Sequence, residues 1–260
     1  MKLMKIIAGV AGAALLLAGC AGTKDEADNP YKLVAVGKLT VCSDVPYAPF
    51  EFEDPSAPSG YSGFDIEIMG EIAKRLELEL VVVASNFDAL QSGAALAAGQ
   101  CDVGASAITI TEERKANIDY TAPYYDSLQS LLVRADSGIS SLADTGGKKI
   151  GVQKGTTGEI FAQENAPANA ELVSFDDDGL MWLALQAGNV DALLQDQPIN
   201  YEHVVVDADY VIVEEWQTDE QYGFALEKGK SPELLAAIDG LLLEMRADGA
   251  YDALYAKYFG

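Results

Sequence analysis

Residues 104–115 read Gly-Ala-Ser-Ala-Ile-Thr-Ile-Thr-Glu-Glu-Arg-Lys and bring together the groups that bind a carboxylate. Thr111 is predicted to cap a helix whose first turn contains Arg114, five residues after the hydroxyl of Thr109. Backbone N–H groups, a hydroxyl and a guanidinium can converge on one carboxylate, because a guanidinium matches both carboxylate oxygens. The same spacing also fits an exposed arginine that balances its two acidic neighbours.

Two acidic features further along the chain could also do chemistry. Asp196 ends a predicted strand and precedes Pro198, where an acid taken alone is typical of a helix N-cap. Residues 176–179 (Asp-Asp-Asp-Gly) superficially suggest calcium, but the twelfth position of such a loop holds no acid. An acidic cap on the following helix is therefore the favoured interpretation, and we expect no metal site.

The elements that would position these residues alternate between strands and helices. Strands are predicted at 38–43, 79–83, 102–106, 149–153, 171–175 and 192–195. Helices are predicted at 64–76, 86–98, 158–165, 179–187 and 250–259, and another begins at Ser231. This alternation is typical of an α/β fold with mainly parallel sheets, whose ligands bind beyond the carboxyl ends of the strands.

A weak internal repeat indicates two lobes. Residues 96–102 (Leu-Ala-Ala-Gly-Gln-Cys-Asp) recur as residues 185–191 (Leu-Gln-Ala-Gly-Asn-Val-Asp). Each copy reads as a helix end, a glycine C-cap and the start of a buried strand.

The N-terminus reads as an export signal rather than as part of the fold. Lys2 and Lys5 precede an apolar run, residues 6–18, that is too short to span a bilayer. Residues 17–20 (Leu-Ala-Gly-Cys) resemble a lipobox, which implies cleavage after residue 19 and a lipid such as palmitate on Cys20. The alternative is an ordinary signal peptide that happens to end in cysteine. Residues 20–30 are predicted to be the lipid anchor and a tether.

Composition excludes some function classes. Without residues 1–19, 241 residues remain, enough for two modest domains. Their 41 acidic and 15 basic residues give a formal charge of −26, which argues against nucleic acid and against a basic membrane-binding patch.

Cys42 and Cys101 are predicted to remain buried thiols. If their strands are parallel, an offset of three or four residues separates them by about 10 Å or more, beyond the reach of a disulfide.

The run at residues 108–115, followed by Ile-Asp-Tyr-Thr at 118–121, closely resembles the polar amino-acid binding proteins of ABC importers, the bacterial extracellular solute-binding protein family 3. Further matches in family order cover nearly all of residues 31–260, at 44–50, 63–66, 86–90, 155–157, 190–196 and 222–225. The resemblance implies a two-lobed periplasmic-binding-protein fold of type II (Venus flytrap). Lobe 1 would comprise residues 31–125 and 221–260, lobe 2 residues 126–220, with hinge crossings near 124–128 and 218–222.

The resemblance also implies how a zwitterion would be held. Arg114 would bind its carboxylate with the backbone N–H groups of Thr109 and Thr157. Asp196 would bind its ammonium with the Thr109 hydroxyl and the backbone of Ala107. Opposite ends of one ligand would then engage opposite lobes and favour closure.

Five further positions match residues that line the pocket around the ligand side chain: Tyr47, Phe87, Asp44, Gln153 and Gln195. Glu51 is expected nearby, and Phe87 could equally be a core residue. An acid at the Asp44 position receives the cationic head in basic amino-acid binders, but glutamine binders also carry one. Gln153 and Gln195 replace a lysine and a histidine of some glutamine binders. Arginine or lysine is therefore slightly preferred as ligand, with glutamine close behind.

The sequence is interpreted as a non-enzymatic, monomeric binding protein without a cofactor, anchored by lipid outside the cytoplasm. Its partners would be an ABC permease and the ATPase subunits. A rival interpretation is an exported cyclohexadienyl dehydratase on the same fold, but the only histidine, His203, reads as a surface or core residue. A ligand-sensing component is a third possibility.

Overall fold

The computed structural model describes residues 30–260, which form two lobes, one around each of two five-stranded sheets. The predicted two-lobed α/β architecture is thus confirmed. The predicted signal peptide, Cys20 and all of the tether before residue 30 lie outside the described residues. Within residues 30–260, no helix is long and apolar enough to cross a membrane.

The first part of the described chain contains seven strands and three α-helices. In chain order they are β1 (Lys38–Ser43), β2 (Phe52–Glu53), β3 (Tyr61–Ser62), α1 (Phe64–Arg75), β4 (Glu79–Ala84), α2 (Phe87–Gln91), α3 (Ala94–Ala97), β5 (Val103–Gly104), β6 (Ile118–Tyr120) and β7 (Tyr125–Arg134). The remainder contains β8 (Lys149–Gln153), α4 (Thr157–Asn165), β9 (Glu171–Phe175), α5 (Asp178–Gln186), β10 (Ala192–Asp196), α6 (Gln197–Val206), β11 (Tyr210–Tyr222), β12 (Ala225–Glu227), α7 (Pro232–Asp248) and α8 (Ala250–Phe259).

Both sheets combine parallel and antiparallel strands. The sheet of lobe 1 has the order β4-β1-β5-β12-β6, with β4, β1 and β5 parallel and β12 antiparallel to its neighbours. The sheet of lobe 2 has the order β11-β7-β10-β8-β9, with β10, β8 and β9 parallel. Strand β7 is antiparallel to both β10 and β11.

The lobes are joined by the paired ends of β7 and β11. Tyr125 lies opposite Tyr222 in this antiparallel pair. Their rings stack with centroids 5.5 Å apart, and next to them Tyr124 stacks on Phe224 at 4.1 Å. Such ring pairs stabilise a structure beyond the burial of their apolar area. This aromatic cluster therefore stabilises the point where β7 and β11 pass between the lobes.

Helix α1 illustrates how the sequence determines an element. Phe64, Ile68 and Ile72 are spaced four residues apart and are buried on one face, while acids occupy the first turn and bases the last. Gly63 precedes the helix with φ 128°, and a Cβ there would lie 2.1 Å from the carbonyl oxygen of Phe50. Only glycine fits this approach.

Two predicted elements are wrong in extent. The predicted helix at 86–98 is divided into α2 and α3, because Gly93 adopts φ 78° and ends the first helix. Asn86 does cap α2, accepting from the Ala89 N–H at 2.9 Å. The helix predicted after Thr111 is only a 3₁₀ turn, Arg114–Ala116, although the Thr111 hydroxyl accepts from the Arg114 N–H at 3.1 Å as expected of a cap.

The predicted free thiols are also wrong, because Cys42 and Cys101 form a disulfide with a Cα–Cα distance of 5.7 Å. The prediction assumed an extended strand from residue 102 to 106, whereas β5 contains only Val103 and Gly104. The chain bends at Asp102, so Cys101 lies beside Cys42 rather than several residues away.

Loss of this disulfide should destabilise the protein. The bridge joins residues 59 apart in sequence, so replacing both cysteines by alanine should lower the free energy of unfolding by about 2–4 kcal/mol. Urea unfolding measures this, and a thiol reductant should lower the midpoint of the wild-type protein but not that of the double variant. An unchanged wild-type midpoint under reductant would contradict the bridge.

Candidate functional site

Polar residues of both lobes meet in a narrow cleft. Contacts cross it from lobe to lobe: Gln153 donates to Asp44 at 2.5 Å, and Lys154 forms an ion pair with Asp88 at 2.9 Å. All of the lining residues except Thr156 are among the predicted site residues: Asp44, Tyr47, Phe87, Ala107, Thr109, Thr156, Thr157 and Asp196. The other predicted residues, Arg114, Gln153 and Gln195, lie around this lining.

Arg114 is buried beside the cleft and is not the exposed arginine that the spacing also allowed. Its Nη1 donates to the Thr109 carbonyl at 2.8 Å, and its Nη2 donates to the Gly155 carbonyl of lobe 2 at 2.9 Å. The guanidinium also lies 5.3 Å from the centre of the Phe87 ring. Burial lowers the pKa of Arg114, but an arginine keeps its charge near neutral pH. The structure therefore places a fixed positive charge at the cleft.

Asp196 is the last residue of β10 and directly precedes α6, but its carboxylate does not cap that helix. It accepts instead from Gln129 Nε2 at 2.5 Å and from the Tyr222 hydroxyl. Burial, followed by the nearby negative charge of Glu220, raises the pKa of Asp196 to about 7. A positive group that entered the cleft would stabilise the ionised carboxylate and so lower the pKa of Asp196.

Glu220 also lies at the site, although no sequence motif selects it. Its carboxylate accepts from the Thr109 hydroxyl of lobe 1 at 2.9 Å and from the Thr157 hydroxyl of lobe 2 at 2.6 Å. It also accepts from Gln129 at 2.9 Å. Glu220 is one of several acids along β11, and the irregular pairing between Trp216 and Glu220 changes the register just before it. Such a bulge has no sequence signal that would have identified this acid.

Backbone groups also face the cleft. Thr156 and Thr157 both line it, so the N-terminus of α4, whose first N–H groups have no helical partner, opens there. Ala107 adopts φ 47° and donates its N–H to Asp65 at 2.8 Å. This left-handed conformation is unfavourable for a residue with a Cβ, and it sets the direction of the Ala107 carbonyl.

The far end of the cleft is acidic. Burial, outweighing the Gln153 hydrogen bond, raises the pKa of Asp44 to about 7. Gln195 does not reach Asp44; its Nε2 donates to Asp178 at 2.9 Å. Glu51 lies behind the lining, where its carboxylate accepts from the Ser106 hydroxyl at 2.5 Å. The two aromatic residues predicted for the pocket, Tyr47 and Phe87, both line the cleft while remaining 7% exposed.

The cleft brings together opposite charges that could hold a zwitterion. His203 lies in α6, bonded to Asp178 and stacked on Trp182, and does not line the cleft. Residues 176–179 form the predicted cap, since Asp177 accepts from the Leu180 N–H at 2.7 Å. In residues 30–260 no cluster of histidine, cysteine or acidic side chains could hold a metal ion.

The chain is similar in sequence to known amino-acid-binding proteins. The family model of the bacterial extracellular solute-binding proteins, family 3, matches residues 39–260. A probable histidine-binding protein of Campylobacter jejuni is 34% identical over 251 residues, which cover 96% of this chain and 95% of that protein. An ABC transporter glutamine-binding protein of Bacillus subtilis is 32% identical, with 95% of this chain and 93% of that protein covered.

The fold is also similar to that of a solved amino-acid-binding protein. The solved structure of an ancestral arginine-binding protein bound to arginine has a TM-score of 0.77 and 37% sequence identity to this chain. The match covers 86% of this chain and 99% of that structure.

The raised pKa of Asp196 predicts a pH dependence. This group holds its proton to about pH 7 in the folded protein but only to about pH 4 in the unfolded chain. Its contribution to stability is thus complete below pH 4 and is lost as pH rises through 7. We expect the unliganded Asp196→Asn variant to gain stability relative to wild type as pH rises from 4 to 7. Urea unfolding across this range measures the difference, and a constant difference would contradict the assignment.

Proposed function

Because the chain belongs to family 3 of the bacterial extracellular solute-binding proteins, we propose that it is the binding component of an ABC importer. It captures a polar L-amino acid in the cleft and delivers it to a permease, with ATPase subunits as further partners. The observation that supports this most directly is the placement of opposite charges at one cleft, Arg114 from lobe 1 and Asp196 from lobe 2.

In this proposal the ligand's α-carboxylate binds Arg114 and the backbone N–H groups of Thr109 and Thr157. The N-terminus of α4 adds a favourable partial charge for an anion at the same place. The α-ammonium binds Asp196, the Thr109 hydroxyl and the Ala107 carbonyl. The hydrogen bond from Thr109 to Glu220 supports the role of the Thr109 hydroxyl as an acceptor. The hydroxyl proton is donated to Glu220, so the lone pairs of the oxygen can accept from the ammonium.

We propose arginine or lysine as the ligand, slightly ahead of glutamine. Asp44 is buried at the far end of the cleft, and its raised pKa reflects a carboxylate without a cationic partner. A basic side chain would supply that partner. The relatives include proteins named for histidine, glutamine and arginine binding, so the family by itself does not choose among them.

We further propose that the protein is not an enzyme. Both relatives in the comparison are binding proteins. The carboxylates at the cleft accept hydrogen bonds from glutamine side chains, as in a ligand-binding site. The single histidine does not line the cleft.

The remaining proposals concern the chain's organisation. We propose lobe 1 at 31–125 and 221–260 and lobe 2 at 126–220, supported by the pairing of Tyr125 with Tyr222 where the strands leave lobe 1. We also propose a lipid anchor on Cys20 that holds a monomer at the extracytoplasmic face of the membrane, supported by the Leu-Ala-Gly-Cys motif.

Thermal unfolding of the protein, stripped of carried-over ligand, tests the proposed function. Each of the twenty amino acids is added in turn, and a ligand at about 100 times its Kd should add about 2.7 kcal/mol of stability. We expect the largest shifts for arginine and lysine. A shift confined to glutamine would replace the proposed ligand, and no shift with any amino acid would overturn amino-acid binding.

The Arg114→Ala variant provides the control for the site. It removes the only cationic side chain assigned to the ligand carboxylate, and this should weaken binding by about 3–5 kcal/mol. The thermal shift at the same ligand concentration should therefore disappear. A retained shift would mean that the ligand binds elsewhere.

A further inference from the structure

A second buried acid, Asp178, lies behind the lining at the far end of the cleft, and the proposed function does not use it. Asp44 and Asp178 are each only 4% exposed. They come from different lobes, and the start of α5 packs against the loop that follows Asp44, since a Cβ on Gly179 would lie 3.1 Å from Pro46 Cγ. Burial raises the pKa of Asp44 most, and the charges of Asp177 and then Asp178 raise it further. Burial, then the charges of Asp196 and Asp178, raise the pKa of Tyr47. Asp178 is thus electrostatically part of the cleft.

The hydrogen bonds of Asp178 leave it able to accept more. Its Oδ1 accepts from Gln195 Nε2 at 2.9 Å and contacts His203 Nε2 at 2.9 Å, and the imidazole must donate because a carboxylate only accepts. His203 is held from the other side by Trp182, whose ring stacks on it at 4.2 Å. Both contacts use Oδ1, so Oδ2 remains available for another donor.

The same network fixes which end of the Gln195 amide is free. Asn200 donates Nδ2 to the Ser130 carbonyl at 3.3 Å, so its Oδ1 faces Gln195 and accepts from Nε2 at 3.0 Å. Asp178 likewise requires the NH₂ end of Gln195. The Oε1 of Gln195 is therefore the other end, and it is buried without a hydrogen-bond partner in a side chain that is only 3% exposed. A buried acceptor without a donor is unfavourable, which indicates that a donor from outside the chain belongs here.

We propose that Asp178 is a second acid for the ligand side chain, and that Asp44, Asp178 and Gln195 together select a guanidinium. This inference rests on the proposed function and narrows its ligand. A guanidinium offers five N–H donors in a planar fork and no acceptor, so it can serve several acceptors at once. The amide of glutamine would turn a carbonyl toward acceptors, and the ammonium of lysine is a compact charge that spans fewer of them.

Calorimetric titration with L-arginine and L-citrulline tests the inference. Citrulline has the same length and the same α-groups but replaces the guanidinium with a neutral urea. Wild type should bind arginine at least about 30-fold more tightly than citrulline. Asp178→Asn should reduce that ratio at least about tenfold, through weaker arginine binding.

Asp177→Asn is the matched control. It removes a charge that also acts on Asp44, while asparagine retains the cap to Leu180 that Asp177 provides. It therefore separates the loss of a nearby negative charge from the loss of the Asp178 acceptor. Its arginine-to-citrulline ratio should stay within about threefold of wild type.

The outcomes separate the two proposals. Wild-type binding of citrulline as tightly as arginine, an unchanged ratio in Asp178→Asn, or an equal loss in Asp177→Asn would overturn the role of Asp178 while leaving amino-acid binding intact. No binding of any amino acid by wild type would overturn both. The wild-type ratio remains decisive even where thermal unfolding shows that Asp178→Asn does not fold.

Discussion

The Asp196 carboxylate is buried against side chains of β7 and β11, the two strands that join the lobes, and this connects the site to the hinge. Gln129 of β7 donates to it at 2.5 Å, and Tyr222, at the end of β11, donates its hydroxyl. A carboxylate removed from water needs hydrogen-bond donors or a positive charge, and here both donors come from the hinge strands. A ligand ammonium at Asp196 would therefore act on the side chains that lie where the chain crosses between lobes.

The charge balance of the cleft explains why a ligand would stabilise the closed arrangement. Asp44, Asp196 and Glu220 contribute carboxylates, while Arg114 is the buried cation among them. The ion pair of Lys154 with Asp88 between the lobes is exposed, so water screens it and it adds little to closure. A zwitterion with an additional positive charge would bind groups from both lobes at once. Its affinity for the closed form would exceed that for an open one, which is what drives closure.

The sequence predicted local structure well where apolar runs have sharp boundaries. The strands at 38–43, 149–153 and 171–175 and the helix at 250–259 agree with the structure to the residue. The predictions were wrong where local backbone geometry and tertiary contacts determine the ends of an element. Gly93 divides a predicted helix, and the bend at Asp102 brings Cys42 and Cys101 together. Most of the residues that were selected from the family motifs line one cleft in the structure. Glu220 was missed, because a bulge in β11 places it beside the cleft and the bulge has no sequence signal.

The central claim is that Arg114 and Asp196 hold the two α-groups of one amino acid. Calorimetric titration of the stripped protein with L-arginine and with agmatine, its decarboxylated analogue, tests it most directly. Agmatine keeps the guanidinium and an amine but has no carboxylate for Arg114, so it should bind at least about 100-fold more weakly. Equal affinity for the two compounds would contradict the account.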